Sequence, residues 1–263
     1  FHGVEEVSLM TLHGRAVVPI QMGEYQRVRF SRAQGQADLV LVKGTFFLLV
    51  TLDTPEEPPM EPTRFLGVDL GIVNLATDSD GNSYTGVDVE AVRQRCGRAR
   101  QTYQATHTRS AKRRLKKMAR HEARFRRDVN HCSAKKLVAH AKDTQAALSL
   151  EDLTGIRDRM TVRKGQRNKH HGWSFNQLRQ FVTYKAQCAG VPVVFVDPRN
   201  SSRTCSKCGF VDKRNRRSQA EFSCLRCGHT LHADLNAARN LATRGHVSAP
   251  HLVAPVKGQL AFA

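Results

Sequence analysis

Residues 204–242 read TCSKCGFVDKRNRRSQAEFSCLRCGHTLHADLNAARNLA, and the architecture is best read outward from this stretch. Cys205-Ser-Lys-Cys208 and Cys224-Leu-Arg-Cys227 are each followed by a glycine, Gly209 and Gly228, and 15 residues separate the pairs. A CxxC-Gly knuckle turns both thiolates toward one ion, and two knuckles at this interval form the ligand set of a zinc ribbon. Four cysteines complete a tetrahedral shell, so the expected Zn2+ site is structural and closed. His229 and His232 could substitute as ligands. A redox dithiol is the rival reading, but it would not need the second pair. Cys96, Cys132 and Cys188 have no partner at ligand spacing and read as packing residues. Between the knuckles, Lys213, Arg214, Arg216 and Arg217 form a basic tip. That tip would hold a phosphate backbone, or it is only a solvated ribbon end.

Directly after the second knuckle, Asp234 opens a short helix expected to run to Thr243. From Arg244 the sequence has Pro, Gly and Ala without a period, and a poorly ordered tail is expected. Upstream of the ribbon, Val191–Val196 reads as a buried strand with Pro192 near its start. Trp173–Ala189 is an amphipathic helix stopped by Gly190, and Arg157–His171 is a basic, glycine-containing loop expected to be flexible. Ala147–Leu150 is a short strand ending at Glu151 in LSLED. Arg64–Asp69 is a buried strand ending at Asp69 in GVDLG, followed by strands Ile72–Thr77 and Asn82–Thr85 around a DSDG turn.

Asp69, Glu151 and Asp234 thus stand at two strand ends and one helix start. Carboxylates so placed can converge at one sheet edge, and three or four of them can hold two hard cations. Taken singly, each has a structural alternative as a turn residue or helix cap.

Residues 87–146 are expected to form a helical hairpin. Leu115, Met118, Phe125, Val129, Leu137 and Val138 give a sparse apolar stripe, and Arg113, Arg114, Lys116, Lys117, Arg126 and Arg127 make the rest cationic. The functional reading is nucleic-acid contact and the alternative is a solvated coiled-coil face. Residues 4–52 read as strands Val4–Met10, Arg15–Met22, Gln26–Phe30, Asp38–Val42 and Thr45–Leu52, a small antiparallel β module. A proline-rich acidic segment, DTPEEPPMEPT, then marks a boundary. Phe1 opens the sequence already inside strand-like residues, as expected of a fragment or a processed product.

Lys and Arg number 42 against 23 acidic residues, a formal charge of +19. So one-sided a balance strains the fold by self-repulsion unless a polyanion shares the surface, and nucleic acid is the obvious one. No run of apolar residues is long enough to span a membrane, no secretory leader is recognisable, and paired CxxC motifs favour metal in a reducing compartment over disulfides.

With these segments in order, the sequence resembles a known family. GVDLGIVNLAT, LEDLTGIRDR and TCSKCGF…FSCLRCGHTLHADLNAARNLA resemble the three RuvC-like motifs and the zinc ribbon of the transposon-encoded TnpB (OrfB) family, related to type V CRISPR effectors. HGWSFNQLRQFVTYKA and GVPVVFVDPRNSSRTCSKCG look like the helix and strand that precede the ribbon in that family. The resemblance covers about residues 64–243. It implies an α/β, RNase H-like (RuvC) core with an inserted basic helical hairpin and a zinc ribbon, preceded by a small wedge-like β module. The implied organisation is a partial oligonucleotide-binding β module at 1–53, a linker at 54–63 and a nuclease core at 64–198 with its insertion at 87–146. The ribbon follows at 199–232, the last core helix at 233–243 and a tail at 244–263. The resemblance also implies cytoplasmic, Mg2+-dependent DNA cleavage guided by an RNA. Matched residue by residue, Asp69, Glu151 and Asp234 become the catalytic, Mg2+-holding carboxylates, and Cys205, Cys208, Cys224 and Cys227 become the Zn2+ ligands. The partners implied are guide RNA and target DNA. The alternatives are a truncated, non-cleaving relative that binds RNA or DNA as a regulator, and a transposase that joins strands itself.

Overall fold

A computed structural model describes all residues except 2, 54–56, 72–73, 86, 154–174 and 254–263. The basic loop expected at 157–171 therefore lies outside the described residues. The chain divides into two compact units, Phe1–Pro55 and Glu56–Ala263.

In the first unit, β1 (Glu6–Thr11) and β2 (Gly14–Pro19) form one antiparallel hairpin, and β3 (Ala33–Val42) and β4 (Thr45–Leu52) form another. Between them lies helix α1 (Glu24–Phe30), where a strand at Gln26–Phe30 was expected. Local i,i+4 contacts account for the difference. Arg29 stacks its guanidinium 3.7 Å over the Tyr25 ring and donates to the Tyr25 carbonyl, and the Gly23 carbonyl accepts from the amides of Gln26 and Arg27.

The second unit is built on a five-stranded sheet ordered β7-β6-β5-β8-β9. β5 (Arg64–Asp69), β6 (Asn74–Asp78) and β7 (Ser83–Thr85) run antiparallel, and β8 (Ala146–Glu151) and β9 (Val193–Val196) continue from β5 in parallel. Alternation along β5 and β8 sorts their side chains between two faces. Leu66, Val68, Leu148 and Leu150 join the main core with Ala134, Leu137, Val138 and Ala141 of α3 (Arg109–Asp143) and Leu178, Val182 and Ala186 of α4 (Phe175–Cys188).

The opposite face carries small residues where the fifth helix, α5 (Ala233–Ser248), crosses it. A Cβ at Gly67 would lie 2.0 Å from the Ala238 carbonyl oxygen and 2.3 Å from the Ala242 nitrogen, so only glycine admits the helix this close. Ser149 donates to the Leu241 carbonyl at 2.7 Å on the same face. α5 reaches Ser248 and so takes up the first five residues of the expected tail. Gly245, a breaker on paper, sits in that helix with the Phe65 ring where its Cβ would be.

The basic hairpin is α2 (Val87–Thr106) followed by α3, capped by Thr108, whose hydroxyl accepts from the Ala111 amide. Apart from Ala111, the buried residues of α3 all lie from Asn130 onward, so its basic first half stays clear of the core. The proline-rich segment is seated on the second unit from Glu57. Met60 N donates to the Gly190 carbonyl and Thr63 N to that of Gln145. Cys96 is buried, as a packing residue should be, but Cys132 and Cys188 are exposed, against expectation. Both lie on the outer sides of helices that already fill the core with Leu and Val.

Candidate functional site

The four cysteines of the two knuckles come together. Their sulfur atoms all lie within 4.8 Å of one another, with Cys205–Cys227 at 3.7 Å and Cys208–Cys224 at 3.6 Å. Tetrahedral zinc with Zn–S of about 2.3 Å sets neighbouring sulfurs about 3.8 Å apart, so donor set and spacing both fit a zinc-binding cluster. His229 and His232 are outside it. The His232 ring nitrogen instead accepts from the Asp234 amide and caps α5. Phe222 and Ala233 pack behind Cys205 and Cys224, so the cluster rests directly on the first turn of α5.

The three carboxylates also converge. In the β5–β8 register Val68 pairs with Leu150, so the next residues, Asp69 and Glu151, end neighbouring parallel strands side by side. Their side chains share a hydrogen bond. α5, held against β5 at Gly67, brings Asp234 to the same edge. There Asp234 accepts from Asn74 at 3.4 Å and from Arg216 at 3.4 Å. Glu151 accepts from the Ser201 hydroxyl at 3.3 Å. The three are more loosely grouped than the cysteines, which among the described residues are the set of metal-ligating side chains lying within 4.8 Å.

Burial, and then the negative charges of Glu151 and Asp234, push the Asp69 carboxyl well above the usual carboxylate range. Burial likewise raises Glu151 to about 7, opposed by Ser201, Arg244, Asp69 and Arg216. Carboxyl groups that burial and each other's charge push upward are a donor set whose repulsion a hard divalent cation would relieve.

The basic residues divide. On the ribbon tip, Arg216 faces Asp234, Arg214 pairs with Asp212 at 2.8 Å and Arg217 pairs with Glu221 at 3.6 Å. Lys213 is exposed. On α3, Arg113, Lys116, Lys117 and Arg127 are exposed, Arg126 is half-buried, and Arg114 donates to the Tyr103 hydroxyl. Sequence reasoning missed Ser201, Asn74 and Arg244. Ser201 reaches the site from a turn, Asn74 from the start of β6 and Arg244 from the last turns of α5, and only tertiary contact reveals them.

This is a mixed α/β fold whose sheet edge gathers acidic side chains beside a four-cysteine zinc-binding cluster. Two family models match the chain: OrfB_IS605, described as a probable transposase, over residues 47–155, and the Cas12f1-like TNB domain over residues 175–241. The chain belongs to the OrfB/TnpB family and carries a Cas12f-like TNB domain. It is 33% identical over 218 residues to a CRISPR-associated endodeoxyribonuclease Cas12f1 of Sulfoacidibacillus thermotolerans, covering 76% of this chain and 50% of that protein. It is 30% identical over 128 residues to a TnpB-like protein of Methanocaldococcus jannaschii, covering 48% and 45% of the two chains. Its fold matches a Cas12f1 solved by cryo-electron microscopy with an sgRNA and target DNA, at a TM-score of 0.57 and 18% identity, over 78% of this chain and 55% of that one. The chain spans about half the length of the curated relatives it matches. Among the described residues, no helix is long and apolar enough to cross a membrane.

Proposed function

We propose that this chain forms the RuvC-like catalytic part of an RNA-guided, Mg2+-dependent DNA endonuclease of the TnpB type. The observation that carries the reading is the convergence of Asp69, Glu151 and Asp234 at one sheet edge, with Asp69 and Glu151 ending adjacent parallel strands. The membership of the family, the endodeoxyribonuclease activity of a relative and the nucleic-acid complex of a structural neighbour support it. The mixed sheet covered by helices on both faces suits an RNase H-like core.

In this reading the three carboxylates hold Mg2+, which supplies charge neutralisation at the scissile phosphate and acidification of the attacking water. Ser201 orients Glu151, and Asn74 and Arg216 orient Asp234. The exposed cations of α3 and Lys213 take phosphate backbones, while base pairing between guide and target carries sequence specificity. The cysteine cluster fixes the ribbon beside α5 and takes no part in bond breaking.

The test is cleavage of programmed DNA by the chain with any RNA that copurifies, comparing Asp69→Ala and Glu151→Ala with the natural sequence. Both variants should lose Mg2+-dependent cleavage while keeping nucleic-acid affinity within a few-fold. Normal cleavage by either would remove the site assignment. RNA binding without cleavage by the natural chain would favour the non-cleaving relative instead.

A further inference from the structure

Three side chains on one face of α5 hold the segment that runs from β9 into the first zinc knuckle. Asn236, Asn240 and Arg244 are spaced four apart, so they rise along one side of the helix. Asn236 donates to the Thr204 carbonyl at 2.8 Å and accepts from the Ser206 amide, inside the first CxxC, at 3.0 Å. Asn240 donates to the carbonyls of Ser201 at 2.8 Å and Thr204 at 2.7 Å. Arg244 spans the carbonyls of Asp197 and Arg199.

Both asparagines are buried, and asparagine is a poor residue for a helix interior. The Nδ2 of each donates to main-chain carbonyls of a segment that lies outside the named strands and helices. The held segment carries Ser201, which donates to Glu151, at one end and Cys205 at the other. The helix that does the holding carries Asp234 two residues before Asn236.

We infer that Asn236, Asn240 and Arg244 are positioning residues that couple the zinc-bound knuckle to the carboxylate edge, so that zinc occupancy sets divalent-cation affinity at Asp69, Glu151 and Asp234. The inference rests on the carboxylate assignment above. Zinc fixes Cys205 and with it Ser206 and Thr204. The ladder transfers that placement to α5 and to Ser201, and so to two of the three carboxylates. A ladder that served only to fold the ribbon would change zinc retention and leave the carboxylate site untouched.

The test measures Mn2+ affinity by electron paramagnetic resonance, and zinc per chain, in the natural chain, Asn240→Leu and Arg244→Lys. Leucine keeps the branched shape of the side chain, with somewhat larger ends, and removes both donated hydrogen bonds. Lysine keeps the charge but cannot span two carbonyls. Asn240→Leu should bind Mn2+ about tenfold more weakly, the lower end of what losing an outer-shell partner does, with zinc stoichiometry retained. Arg244→Lys should shift affinity in the same direction, and it decides the matter if Asn240→Leu does not fold. Removing zinc should weaken Mn2+ binding in the natural chain and do so less in Asn240→Leu. Unchanged Mn2+ affinity in the folded variants, or zinc lost in step with Mn2+, overturns the inference. Mn2+ affinity that survives Asp69→Ala would instead remove the carboxylate site itself, and the coupling with it.

Discussion

The crowded carboxylates make stability depend on pH in a direction opposite to that of an ordinary salt-bridged acid. Glu151 rises from 4.5 to about 7 in the folded chain, chiefly through burial. A carboxyl with a raised folded value holds its proton in the native state after the unfolded chain has released it. Its contribution is therefore fully present below about pH 4.5 and is lost as pH climbs through about 7. The rise from 4.5 to about 7 corresponds to about 3 kcal/mol, part of it shared with Asp69, whose proton lies in the same hydrogen bond. For a domain of this size that amounts to a fall in Tm of about 6–12 °C between about pH 5 and about pH 8. If the carboxylates hold Mg2+ as proposed, it competes with the proton and should raise Tm at about pH 8 and do little at about pH 5. Differential scanning fluorimetry without chelator, which would strip zinc, reads both effects. The decisive quantity is the difference between the natural chain and Glu151→Gln, which cannot ionise there and leaves every other group in place. Identical pH slopes for the two proteins would refute the argument.

Gly67→Ala should destabilise by about 3 kcal/mol or more in urea unfolding, because its Cβ would strike the α5 backbone at 2.0 Å, whereas Gly97→Ala in α2, with nothing within 4 Å, should stabilise by up to about 1 kcal/mol. Equal effects would mean that α5 does not approach β5 as described. Cys205→Ser should abolish stoichiometric zinc by colorimetric assay, since structural zinc supplies about 10 kcal/mol or more of folding free energy; a variant that retains full zinc would show the ligand set to be wrong. Neutralising Arg113, Lys116 and Lys117 together should lower the slope of log affinity against log salt by about 2–3 for duplex or single-stranded nucleic acid. An unchanged slope would mark this stretch of α3 as a solvated face.

The sequence exposed some parts of this fold and hid others for physical reasons. The ends of the apolar runs were visible, and two of them, Asp69 and Glu151, sit at matched positions on adjacent strands. The register that places them side by side was not visible, because Arg64–Asp69 and Ala147–Leu150 contain no turn that fixes it. The cysteine cluster was legible because all four ligands lie in two short knuckles whose local turns aim the sulfurs. Glycine misled in one place. Gly245 marked an expected tail, but the Phe65 ring occupies the space its side chain would need, and the helix runs on. In α1, EYQRVRF alternates well enough to pass for a strand. The stack of Arg29 on Tyr25 exists only once the backbone has turned, and alternation cannot report it.

The basic residues show most clearly why charge alone does not assign a role. Four cations on the ribbon tip look equivalent in DKRNRRSQ, yet acids in the fold engage three of them differently. Arg214 and Arg217 meet Asp212 and Glu221 within the ribbon, where exposed pairs contribute little and would yield readily to phosphate. Arg216 turns inward to Asp234 and offsets the repulsion felt by Asp69 and Glu151. Removing it therefore acts first on the carboxylate edge, and only secondarily on nucleic-acid affinity. The same reasoning separates the two halves of α3. Its first half is basic and stays clear of the core, while the half beyond Asn130 packs on the sheet beneath β8. The exposed basic stretch proposed to take phosphate backbones and a support for the acidic edge thus share one helix, divided by where its apolar residues begin to be buried.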